Sequence, residues 1–142
     1  MKRITLLFVM VTFVVFLGSH ISCNTSKTAS SNHQDPTKGP FAEEIAAYGK
    51  PVMVDFGSTS CVPCKMMVPV LEELETKYSN QLKTIFVHVN EEPDKTREFG
   101  IRTIPTQIFF DATGKQLDLH VGFISTEDIL ATFEKYGIAI TN

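Results

Sequence analysis

Two cysteines, Cys61 and Cys64, stand just after an apolar run, Val52-Met53-Val54-Asp55-Phe56. Thiols three positions apart in the first turn of a helix lie within disulfide reach. At the helix N-terminus, unpaired backbone N–H groups and the macrodipole favour a thiolate. Thiol–disulfide exchange needs such an accessible thiolate to attack sulfur, and a second thiol close behind it to resolve the mixed disulfide. Cys61, nearer the helix start, is the expected nucleophile, and Cys64, one turn further in, the resolving thiol. The competing use of Cys-x-x-Cys is half of a zinc site, which needs two further ligands at matching spacing. The sequence has no second Cys-x-x-Cys and no His-x-x-x-His, so no metal is expected. No cofactor is expected beyond the redox-active disulfide itself.

Asp55 is an acid inside an otherwise apolar run. Burying a carboxylate is costly. One reading is therefore a group that moves the Cys64 proton, directly or through a water; the other is a surface Asp at a strand end. Ile104-Pro105 precedes a second apolar run, Thr106 to Phe110. An X–Pro bond at that place is often an ordinary trans turn. Opposite a redox pair it can be cis, leaving the backbone around Ile104 open to an extended substrate strand. Ser60, Val62, Pro63, Thr103 and Ile104 flank the cysteines and the proline and are the residues expected to touch a substrate. His88 and His120 read as structural or surface residues, and His33 as solvated.

Hydrophobic periodicity supplies the elements that hold these groups. Phe41, Ile45 and Tyr48 recur at helical spacing before Gly49. Val52 to Phe56 reads as a strand. From about Cys61 to Tyr78 a helix buries Met67, Val70, Leu71 and Leu74, turns Glu72, Glu73 and Lys77 to water, and kinks at Pro69. Leu82 to Val89 is a strand, Pro93 to Phe99 a short helix, and Thr106 to Phe110 a strand. Asp111-Ala112-Thr113-Gly114 forms a hairpin turn to the strand Lys115 to Gly122. A last helix runs from Thr126 to Tyr136, capped by Ser125 with Asp128 three residues on. Phenylalanines in the strands are expected in the core. Long crossovers followed by one tight turn give an α/β fold: a central mixed sheet of about four strands flanked by helices.

The chain has 142 residues and three cysteines, an odd number that argues against a disulfide framework. Its net charge of −3 and lack of a basic cluster after Arg3 leave nucleic-acid binding nothing to stand on. Residues 1–22 read as a signal peptide, with Lys2-Arg3 as the basic start and Ile4 to Leu17 as the apolar core. That core would be roughly 20 Å long as a helix, short for a hydrocarbon layer of about 30 Å. Cys23 follows it and resembles the acylated cysteine of a bacterial lipoprotein, although His20 stands where an aliphatic residue is usual. The alternatives are cleavage to a soluble form, with Cys23 a passenger thiol, and an uncleaved anchor. Residues 23–39 are polar and read as a flexible tether, and residues 40–142 as one folded domain. Nothing calls for an oligomer, so a monomer is expected.

From about Phe41 onward the chain resembles the thioredoxin family. The matching residues are Val54-Asp55-Phe56, Cys61-Val62-Pro63-Cys64-Lys65, Pro69, Gly100-Ile101-Arg102-Thr103-Ile104-Pro105-Thr106 and Gly122. The resemblance implies a nucleophilic Cys61, a resolving Cys64, a buried Asp55 and a cis Pro105. It also shows departures. Ser60 stands where the family usually has Trp, Gly57 where it has an aromatic, and Val62 where it has Gly. Phe86 replaces a lysine that often neighbours the buried acid, which leaves Asp55 harder to ionise. The family's first strand is missing. Val-Pro between the cysteines is similar to exported members that serve cytochrome c maturation and envelope thiol reduction. The resemblance thus implies an exported thiol-disulfide oxidoreductase in the periplasm or cell envelope. It would be membrane-tethered through Cys23, act on protein thiols and disulfides in the reducing direction, and be recharged by a DsbD- or CcdA-like membrane electron donor. An oxidant or isomerase is the rival within that class; a non-catalytic binding module is the rival outside it.

Overall fold

The computed structural model describes residues 39–141. The signal segment, Cys23 and all of the tether but Gly39 lie outside them. Eight elements follow in the expected order: α1 (Pro40–Ala47), β1 (Val52–Gly57), α2 (Val62–Tyr78), β2 (Lys83–His88), α3 (Pro93–Glu98), β3 (Thr106–Phe110), β4 (Gln116–Val121) and α4 (Thr126–Lys135). The strands form one sheet in the order β2-β1-β3-β4, with β1 parallel to β2 and antiparallel to β3, and β3 antiparallel to β4. Among the described residues no helix is long and apolar enough to cross a membrane.

Strand β1 is central and buried along its whole length, which explains its near-continuous apolar sequence. Side chains alternate across a strand, and here the alternation separates two cores. Val52, Val54 and Phe56 join Phe41, Ile45, Phe99, Ile108 and Phe110 on the α1 face. Met53 joins Met67, Val70, Leu74, Phe109, Ile129 and Phe133 on the face covered by α2 and α4. Asp55 and Gly57 share the parity of Met53, so both belong to the α2 face. Fully burying side chains of this size contributes about 1.5–3 kcal/mol each. Edge-to-face pairs such as Phe99–Phe110 and Phe109–Phe133 add specificity of contact.

Three local features differ from the sequence expectation. Gly39, counted in the tether, is the N-cap of α1. A Cβ there would fall 2.1 Å from the Glu98 side chain, whose carboxylate accepts from the N–H groups of Phe41 and Ala42. Helix α2 begins at Val62, with Cys61 outside it as N-cap, and runs through Pro69 as one helix. Pro69 has no N–H to donate to Lys65, but both residues are exposed, where water can satisfy the freed carbonyl. Phe86 is 42% exposed rather than core, because β2 is an edge strand and α2 does not cover it completely. The hairpin turn is built as expected: Asp111 Oδ1 accepts from the N–H groups of Thr113 and Lys115, and Gly114 takes a φ of +82°.

Candidate active site

The strand-to-helix junction places the cysteines. After β1 the chain turns through Ser58, Thr59 and Ser60, held by a hydrogen bond between the Ser58 and Ser60 hydroxyls. Cys61 then adopts extended backbone geometry as N-cap of α2, and its Sγ accepts the N–H of Cys64 at 3.2 Å. A sulfur at the N-cap receives a donor that would otherwise be unpaired, and lies at the positive end of a helix of 17 residues. Cys61 and Cys64 are joined by a disulfide, with their Cα atoms 5.2 Å apart. Cys61 is half-buried while Cys64 is 3% exposed, so the two sulfurs differ in access.

Across from them, the Ile104–Pro105 peptide is cis. The Ile104 carbonyl oxygen lies 4.0 Å from Cys61 Sγ. The loop is tied at its far side, where Pro105 O accepts from the N–H of Gly122 at 2.8 Å, and on its near side by a Thr106 hydroxyl donating to Thr103 O. Ser60, Val62, Pro63 and Thr103 are exposed and Ile104 is half-buried. Val62 is the most exposed of the large hydrophobic residues among those described, at 72%. Behind Cys64 an apolar cavity of about 360 Å³ opens between α2 and β2, walled by Val68, Leu71 and Phe86.

Asp55 is wholly buried; it is not a surface acid. It sits two residues before Gly57 on the same face of β1, and a Cβ placed on Gly57 would stand 3.4 Å from Cys64 Cβ and 2.8 Å from the Phe86 ring. Two residues of strand span about 6.6 Å, so the acid lies one step beneath Cys64, on the side that α2 covers. Phe86 is its partner in the parallel register and Gln107 its partner in the antiparallel one. Gln107 Nε2 donates to Asp55 Oδ1 at 2.7 Å, and Asp55 Oδ2 has no partner among the described residues. Burial pushes this carboxyl up from 3.8 to about 6, and the Gln107 hydrogen bond pulls only partly against it.

Gln107 was not singled out from the sequence. The signal was the one that marked Asp55: a polar residue within an apolar strand, here Thr106 to Phe110. His88 lies at the end of β2, its Nε2 accepting weakly from the N–H of Thr59 at 3.4 Å. His120 lies on β4, with Nε2 3.2 Å from Phe123 O. Neither touches the cysteines, and among the described residues no three His, Cys, Asp or Glu side chains converge as a metal site would require.

A family model described as thioredoxin matches residues 32–135. Thioredoxin of Synechocystis sp. is 34% identical over 96 residues, covering 68% of this chain and 89% of that one. Thioredoxin 1 of Synechococcus elongatus is 35% identical over 100 residues, covering 70% and 92%. The M-type chloroplastic thioredoxin of Chlamydomonas reinhardtii is 37% identical over 96 residues, 68% of each chain. A solved structure titled "Structure of a malarial protein" superposes with a TM-score of 0.57 at 21% identity, over 61% of this chain and 96% of that one, a likeness of fold alone.

Proposed function

The chain belongs to the thioredoxin family of disulfide reductases, and from that premise we propose that it reduces protein disulfides in the bacterial cell envelope. The observation that carries the reading is the asymmetric pair at the start of α2: an accessible Cys61 sulfur already accepting a backbone N–H, and a shielded Cys64 bonded to it.

In the reduced protein the Cys61 thiolate attacks one sulfur of a substrate disulfide. A Cys61–substrate disulfide forms, and the other substrate sulfur leaves as a thiolate that takes a proton from water. The Cys64 thiol then gives its proton to the Asp55 carboxylate, through a water where the gap requires it, and the new thiolate attacks Cys61 Sγ. The mixed disulfide breaks, the second substrate sulfur leaves as a thiolate, and the Cys61–Cys64 disulfide remains. Two electrons have passed to the substrate. An extended substrate strand lies across Ile104 and Pro105, with Ser60, Val62, Pro63 and Thr103 as its rim. The compartment is oxidising, so a membrane-borne dithiol donor of the DsbD or CcdA kind must return the two electrons. The segment before residue 40 supplies export, and Cys23 a lipid anchor.

The test is reduction of insulin disulfides by dithiothreitol-recycled protein. Wild type is expected to turn over, and Cys61→Ser to lose all activity above the thiol background; equal rates would end the assignment. The Cys61–Cys64 reduction potential tests direction. A value below about −200 mV supports a reductant, and a strongly oxidising one reverses the proposal.

A further inference from the structure

The proposed mechanism asks Asp55 to change protonation state at every turnover while buried away from bulk solvent. Its only hydrogen-bond partner among the described residues is the side chain of Gln107, which is itself fully buried and sits directly opposite it in the β1–β3 register. Two buried acceptor atoms of the pair, Asp55 Oδ2 and Gln107 Oε1, have no hydrogen-bond partner among the described residues. One hydrogen bond thus joins the two groups, and the pair keeps two further sites that a proton or a donor could use.

We propose that Gln107 is a positioning residue for this reaction, its amide holding the Asp55 carboxyl by Oδ1 so that Oδ2 remains free to carry the proton exchanged with Cys64. The inference rests on the disulfide-exchange reading above. An amide suits the task for a reason of chemistry. It offers N–H to the carboxylate and, turned over, a carbonyl oxygen to the protonated acid, so it can bond either form. An apolar side chain in its place would leave the carboxylate bare in the interior, and a lysine would hold it ionised. With Phe86 on the other flank contributing no charge, the amide alone favours the anion against the cost of burial.

Of the titratable groups on the surrounding elements, Cys64 is buried with Asp55. Lys65, Glu72 and Glu75 of α2 line the cavity behind Cys64, and His88 of β2 and His120 of β4 flank the pair in the register. The α4 helix contributes Ile129 and Phe133 to this layer. None of these groups is hydrogen-bonded to the Asp55 carboxyl.

The experiment follows the Asp55 carboxyl by ¹³C NMR in the oxidised protein, and the pH dependence of the single-turnover step that resolves a Cys61–substrate disulfide. Gln107→Met keeps the length and removes the donor. It is expected to raise the Asp55 titration by about one to two pH units, the size of a hydrogen bond to a charged group, and to move the pH profile of resolution up with it. In an Asp55→Asn background the same substitution should leave the pH profile unchanged, because its effect passes through the carboxyl. The carbon signal belongs to Asp55 itself, and its own ionisation moves it further than a titrating neighbour such as His120, the register partner of Gln107, would. If Gln107→Met does not fold, Gln107→Asn, whose amide falls short of Asp55, is read in the same way. An unmoved carboxyl titration, with Asp55→Asn still altering the profile, overturns the role of Gln107 and leaves the reaction standing. An unaltered profile in Asp55→Asn overturns the proton-transfer role of Asp55, and the proposal for Gln107 with it.

Discussion

Asp55 accepts one hydrogen bond from a neutral amide and is buried away from bulk solvent. Its folded pKa of about 6 exceeds the ordinary value of 3.8, and the sign of the resulting stability effect follows directly. Below pH 3.8 the acid is neutral in both folded and unfolded chains and costs nothing. As pH rises, the unfolded chain ionises first while the folded one still holds the proton, so stability falls until the pH passes about 6. Above that the cost is constant, on the order of 3 kcal/mol. Asp55→Asn is therefore expected to stabilise the oxidised protein at pH 7 by up to about 3 kcal/mol, and to flatten its stability between pH 4 and 6. Guanidinium unfolding at a series of pH values measures both; a variant no more stable than wild type at pH 7 contradicts the burial cost. A group that lowers stability while sitting beneath the redox pair is what a stability–function trade-off looks like at one residue.

At the level of elements, the short helix α1 depends on a cap from far along the chain. Its N-cap, Gly39, has no side chain to offer, and the Glu98 carboxylate takes the N–H groups of Phe41 and Ala42 instead. The negative charge also meets the positive end of the helix dipole. Glu98→Ala is expected to cost about 1–2 kcal/mol, the range for losing an N-cap, with little change in insulin reduction, since α1 lies on the face of the sheet away from α2. Thermal unfolding and the insulin assay together check this. A loss of activity at unchanged stability would mean that the α1 face communicates with the cysteines. Gly57 works in the opposite sense, by omission. A Cβ there would press on both the Phe86 ring and Cys64, so the missing side chain leaves that space to Phe86.

For the whole molecule, two cores built on the two faces of one sheet hold the reaction centre at the C-terminal end of its central strand. The proposed anchor, Cys23, lies outside the described residues that build those cores. Cys23→Ser is accordingly expected to abolish labelling by radioactive palmitate and release the protein from the membrane fraction, with insulin reduction unchanged. Palmitate labelling of the serine variant, or membrane-free wild type, would remove the lipid anchor from the proposal.

The order of the eight elements, the helix that carries Cys61 and Cys64, the Ser125 cap and the unusual acid at Asp55 were all legible in the sequence. Each is a property of neighbours along the chain: periodicity, turn chemistry, a cap three residues from its partner, a polar residue breaking an apolar run. The tertiary structure alone decided that Gln107 faces Asp55, that Phe86 stands half out of the core, and that Glu98 caps a helix more than fifty residues before it. Those facts depend on strand register and on which strand forms the sheet edge. Many sequences with the same local pattern could resolve either one differently, and only packing of the whole chain selects between them.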